Sequence, residues 1–201
     1  MFICRGIKAD LAGTEVSAFH NHKKKSIIKP SQNIKVLVCP HDFFDAPHVF
    51  GDTLFADYYD WMYFLGEMSK KTNYDWYIKN RPNHAISMGK FELYQPRVDE
   101  TIRKFVQKYN NVKLLPNDYS HIQILEEGIN FVLTAYGSVG VEYPLFNIPV
   151  INASVNNPHI MYNFNMHPKT VNEYENIVKN LEKVKLEISK KEIYEYYFMR
   201  H

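Results

Sequence analysis

The sequence predicts an α/β domain whose parallel sheet is covered by helices on both faces. Three observations predict it. Short runs such as "IKVLVCP", "NFVLTA" and "PVINA" are apolar almost throughout, as strands buried on both sides are. Segments with helical spacing of apolar residues separate these runs, giving a strand–helix alternation. Each predicted strand also ends in a cluster of polar residues. Sheets of this kind bind ligands at that carboxyl edge, where the strand order reverses.

Taken in order, residues 1–33 show little periodicity and read as an N-terminal arm or linker. The domain is expected over residues 34–184, and residues 185–201 form a C-terminal helix. The run "IKVLVCP" (34–40) is β-branched, ends in proline and predicts a buried strand. The polar and aromatic stretch 41–52 reads as a loop. Residues 53–71 predict a long helix with Leu54, Tyr58, Trp61, Leu65 and Met68 on one face. A strand through Trp76 and Ile78 follows and is stopped by Pro82. Val98, Ile102, Phe105, Val106 and Tyr109 make residues 96–109 an amphipathic helix. Residues 111–115 read as a strand. "SHIQ" at 120–123 has capping-box spacing and opens a short helix. Residues 130–135 and 149–153 are two more strands. "TVNE" at 170–173 opens a helix with Tyr174, Ile177, Val178 and Leu181 on one face, and a last helix begins at Ser189 with Glu192 at the matching spacing.

Composition narrows the function classes. The chain has 201 residues, 45% of them hydrophobic and 23% charged, in the range of globular proteins. A net charge of +2 is too small to argue for nucleic acid. Cys4 and Cys39 are far apart and form neither a zinc nor a redox motif. No apolar run is long enough to span a bilayer, and the N-terminus lacks the order of a signal peptide. The expectation is a cytoplasmic protein. The basic run "HNHKKKSIIK" at 20–29 reads as a solvated linker or as a peripheral contact with an anionic inner-membrane surface.

Five clusters at the strand ends carry the candidate chemistry. The first holds His41, Asp42, Asp45 and His48. Of these, His41, Asp42 and Asp45 are the candidates for acid–base work. The second holds Lys79, Asn80, Arg81, Asn83 and His84, where Lys79 and Arg81 suit a diphosphate. The third contains Asn117, Asp118, Ser120 and His121. The fourth is "YGSVGVE": Tyr136, Gly137, Ser138, Gly140 and Glu142. The fifth contains Asn152, Ser154, Asn156, Asn157 and His159. In the fourth cluster the small residues would let backbone N–H groups approach an anion. Pro144 would clash inside a helix capped at Ser138, so the helix is expected to start near Val141, after a loop over 136–140. Glu142 then lies in its first turn and could accept from sugar hydroxyls. The same features also describe a tight strand-to-helix turn with an acid complementing the helix dipole.

The junction "LTAYGSVGVEYPLFNIPVINA" (133–153) resembles the late donor-binding segment of two-domain glycosyltransferases. The stretches "HDFFDAPHVFGDTLFADYYDW" and "YIKNRPN" resemble bacterial capsular and surface polysaccharide biosynthesis proteins. Together the likeness spans about residues 34–181. It departs from the family at two places: Asn147 stands where a glycine is usual, and Arg81 takes the histidine position of the family's "KxHP". The resemblance implies a Rossmann-like nucleotide-sugar-binding domain, one half of a two-domain enzyme. Ser138 and Gly140 would touch the donor phosphates, Glu142 the ribose side, and Lys79 and Arg81 the phosphate. Ser120, His121, His84, Tyr136 and Gly137 belong to the same implied binding edge, and His41 and Asp42 would face the interdomain cleft.

An acceptor domain does not fit in the same chain. The resemblance therefore implies the C-terminal half of a longer enzyme, a shortened chain, or a subunit that works with an acceptor-domain partner protein. No Asp-x-Asp motif is present, so no metal is expected, and the nucleotide sugar enters as substrate rather than as a bound cofactor. Two other readings stay open: a non-catalytic assembly protein of the polysaccharide machinery, and a nucleotide-sugar epimerase-like domain.

Overall fold

A computed structural model describes residues 24–41, 43, 52–80 and 95–200. Among these residues five strands form one sheet: β1 (Lys35–Val38), β2 (Asp75–Lys79), β3 (Val112–Leu115), β4 (Phe131–Thr134) and β5 (Val150–Asn152). Their order is β3-β2-β1-β4-β5, and every pairing is parallel. Among the described residues six helices accompany them: α1 (Tyr58–Lys71), α2 (Gln95–Lys108), α3 (His121–Glu126), α4 (Val139–Glu142), α5 (Val171–Lys179) and α6 (Lys190–Arg200). Short 3-10 turns cover Tyr143–Phe146 and Leu181–Lys183. The arrangement is the generic Rossmann-like one that the strand–helix alternation predicts.

Alternation along the strands divides the core in two. Val36, Val38, Trp76, Ile78, Leu133 and Ile151 face one side, where α1, α2 and α5 cover them. Leu37, Tyr77, Val132 and Val150 face the other, under α3 and the turn at Tyr143. This division follows from handedness. The chain steps one way from β1 to β3 and the opposite way through β4 to β5, and right-handed crossovers put the two sets of helices on opposite faces. On the first face Trp61 of α1 donates its indole N–H to the Tyr174 hydroxyl of α5 (2.9 Å), a buried bond between two helices far apart in sequence.

Several boundaries differ from the sequence expectation, each for a local reason. α1 starts at Tyr58, because Asp57 caps it by accepting from the Asp60 N–H (2.8 Å). Residues 53–57 instead cross the end of β5, where the Leu54 N–H donates to the Ala153 carbonyl (3.0 Å). Ser120 does cap α3, accepting from the Ile122 N–H (3.2 Å), but Gln123 does not complete a capping box. Its amide instead donates to the Lys24 carbonyl and accepts from the Lys24 N–H (both 2.9 Å). That bond helps draw residues 24–33 onto the second face, where α3 is too short to cover the sheet. Ile28, expected in the arm, is fully buried there with Leu37 and Tyr77. Among the described residues no helix is long and apolar enough to cross a membrane.

Candidate functional site

The strand order reverses between β1 and β4. The chain leaves β1 toward α1 on the first face and leaves β4 toward α4 on the second, so the two loops diverge and open a crevice at the carboxyl edge. His41 joins them. Its Nε2 accepts from the Tyr136 backbone N–H (2.9 Å), and its ring stacks on Tyr58 with centroids 4.8 Å apart. An Nε2 that accepts an N–H carries no proton, so His41 is bound here as a neutral acceptor. Thr134 reinforces the junction: its hydroxyl donates to the Cys39 carbonyl (3.1 Å) and accepts from the Gly137 N–H (3.2 Å). A side chain at Gly137 would place Cβ 2.8 Å from the Thr134 Oγ1, so only glycine fits that bond without a shift. The Tyr136 hydroxyl donates to the Asn156 carbonyl (2.7 Å), closing the loop toward β5. Ser138 is exposed, and the N–H groups of Ser138 and Val139 have no acceptor among the described residues.

The helix after this loop corrects the sequence reading. α4 begins at Val139, not near Val141, and Ser138 holds its N-cap position without a side-chain capping bond. Pro144 is accommodated by ending the α-helix after one turn. The chain tightens into a 3-10 turn from Tyr143, with Pro144 in its first positions, where a missing N–H costs little. This leaves the Gly140 carbonyl without the N–H that a residue other than proline would supply at 144. The buried side-chain amide of Asn165 donates to it instead. The turn closes on Asn147 at φ 61°, ψ 29°, in the left-handed conformation that glycine most readily adopts. Asparagine is among the few other residues that adopt it readily.

Gly140 is placed behind the crevice. It is buried, and a Cβ there would lie 3.1 Å from His159 Nε2 and 3.2 Å from Asn152 Oδ1. Its small size lets α4 approach β5. Beneath it, the Asn157 amide donates to Asn152 Oδ1, Ser154 Oγ and the Ala135 carbonyl (3.3 Å each). His167 packs against His159 with centroids 5.1 Å apart. Both nitrogens of His167 are buried without a partner among the described residues, and burial pushes its pKa down to about 4.

Lys79 ends β2 with its side chain buried. Its ammonium donates to the carbonyls of Asn117 (3.1 Å) and Asn80 (3.3 Å), tying the ends of β2 and β3. Burial lowers its pKa to about 8, opposed by the neighbouring Cys39 and Asp118. Burial likewise raises the Cys39 thiol to about 12; Lys79 opposes that shift and Glu142 adds to it. Lys79 and the buried Glu142 thus lie within electrostatic reach of the carboxyl end of β1. Ser120 is spent on the α3 cap, and His121 is buried with Nδ1 2.6 Å from the Tyr143 hydroxyl. Asp42, Asp45, His48, Arg81, Asn83 and His84 lie outside the described residues, as does the basic run before residue 24.

The structure therefore brings together His41, Tyr136, Gly137 and Ser138, with Lys79 and Glu142 buried nearby. It places Ser120 and His121 on the second face and Gly140 in a supporting layer. Thr134, Asn165 and His167 were missed by the sequence reading. Thr134 could have been found as the last polar residue before the loop; Asn165 and His167 fall in an aperiodic stretch that signals nothing locally. Among the described residues no three His, Cys, Asp or Glu side chains are grouped closely enough to hold a metal. No family model matches the sequence, and no curated protein matches it.

Proposed function

We propose that this chain binds a nucleotide-activated sugar in the crevice between the loops after β1 and β4. In this reading it is the donor-binding part of a sugar transferase of capsule or surface polysaccharide assembly. The carrying observation is the reversal of strand order between β1 and β4 at the small-residue loop 136–139. The resemblance of "YGSVGVE" to donor-binding segments supplies the ligand class. Gly137 and Ser138 line the phosphate side, and the uncommitted N–H groups of Ser138 and Val139 face the ligand's charge. His41 holds the two loops together; while its Nε2 accepts the Tyr136 N–H, that nitrogen is not the base. The chemistry would be displacement at the anomeric carbon, with the leaving nucleotide's charge stabilised by fixed dipoles at the loop.

A second reading, a non-catalytic binding or assembly protein, is favoured by one specific observation. Lys79, Gly140 and His121 are buried and engaged within the domain, which leaves few side chains for chemistry.

Calorimetric titration with CMP, CDP, UDP and GDP and their sugar conjugates tests the proposal. One of them should bind saturably. Ser138→Glu, at an exposed position, should weaken that binding by roughly tenfold or more, about 1.4 kcal/mol, without lowering the melting temperature. Folded protein that is silent toward every nucleotide and conjugate overturns the proposal. Binding without turnover, when acceptor and partner protein are supplied, selects the second reading.

A further inference from the structure

Six large apolar side chains are exposed among the described residues, and five of them lie on three elements that pack together. Phe146 is on the 3-10 turn after α4, Met161 is on the loop before β5's parallel bridge partner Met166, and Tyr194, Phe198 and Met199 are on α6. These elements share a small core of Val141, Phe164, Ile193 and Tyr196. The Asn163 N–H also donates to Glu192 of α6 (2.6 Å). Relative exposures run from 41% to 86%. Side chains of this size carry roughly 200 Å² each, so the five expose on the order of 700 Å². The three on α6 account for roughly 400 Å² of this, about half of the roughly 800 Å² that each partner contributes to a stable interface, the remainder falling to the stripe's lysine and glutamate side chains.

α6 carries large apolar side chains on both sides, mixed with charge on the outer one. Ile193 and Tyr196 face the domain, and the opposite stripe is Lys190, Lys191, Tyr194, Glu195, Phe198 and Met199.

We infer that the outer stripe is covered by a second copy of this chain, with the two α6 helices packed antiparallel about a two-fold axis. The stripe is self-complementary in that arrangement. With the axis between residues 194 and 195, Lys191 of one copy opposes the second copy's residue 198, and Lys190 opposes residue 199. Residue 194 then meets residue 195 across the axis. A lysine ammonium meets an aromatic face, and a tyrosine hydroxyl meets a carboxylate. Parallel packing would set lysine against lysine. A lipid surface fits less well, because Glu195 sits between Tyr194 and Phe198 and is repelled by anionic headgroups. This inference rests on α6 and is independent of what the crevice binds.

Sedimentation velocity of the full chain at increasing concentration, up to about 100 µM, tests it. A dimer is expected. Phe198→Glu should raise its dissociation constant at least tenfold with circular dichroism unchanged, since residue 198 touches no core. A protein that stays monomeric throughout overturns the inference. So does a dimer indifferent to Phe198→Glu, or a monomer that co-sediments with phosphatidylglycerol vesicles.

Discussion

Asn165 is the clearest case of one residue completing the work of another. Pro144 cannot donate to the Gly140 carbonyl, and the Asn165 amide takes that acceptor in the buried layer behind the loop. Asn165→Ala would leave the carbonyl buried and unpaired, at a cost of about 1–3 kcal/mol. Urea unfolding should show that loss, and Asn165→Gln should not restore it, because the longer side chain does not fit the same place. His167 is the second case. Its folded pKa of about 4 lies below the ordinary 6.5, so between those values the unfolded chain holds more proton on this residue. The stability contributed by the neutral ring is complete above about pH 6.5 and is lost as the pH falls toward 4. One proton accounts for at most about 1.4 kcal/mol per pH unit. The slope of unfolding free energy across that window should therefore flatten in His167→Gln; an unchanged slope would assign the titration elsewhere. Neither residue was legible in the sequence, because Asn165 acts on a carbonyl twenty-five positions away and the burial of His167 is set by tertiary packing.

At the scale of elements, most of the helices and strands were legible, since each carries its own signal. Trp61, Leu65 and Met68 are buried on one face of α1 as their spacing predicts, and Thr170 caps α5 by accepting from the Glu173 N–H (3.1 Å). α4 was not legible in the same way. Pro144 restricts the local helix, but whether the chain delays the start or ends early depends on a donor for the Gly140 carbonyl, which the distant Asn165 supplies. The pairing of α1 with α5 is another tertiary fact. Trp61→Phe keeps an aromatic ring in the core but loses the indole N–H and strands the buried Tyr174 hydroxyl. It should cost about 1–3 kcal/mol, while Trp61→Phe combined with Tyr174→Phe should recover part of it. A double-mutant cycle measured by chemical denaturation checks the coupling.

For the whole molecule, the amino-acid sequence by itself determined an α/β domain with a parallel sheet, its segments in order, and the polar edge where function is expected. Local spacing, short buried runs and proline placement carry that information, because strand and helix periodicity are properties of neighbouring residues. The tertiary structure alone decided the strand order β3-β2-β1-β4-β5 and hence the crevice between β1 and β4. It also sorted one polar cluster from another. Tyr136, Gly137 and Ser138 meet His41 at the crevice, whereas Gly140 packs on β5, His121 turns to Tyr143 and Lys79 binds carbonyls. The physical reason is that a strand-end residue's surroundings are set by which strand lies beside it and which face its next helix covers. Both depend on contacts between segments remote in sequence, which no local pattern encodes.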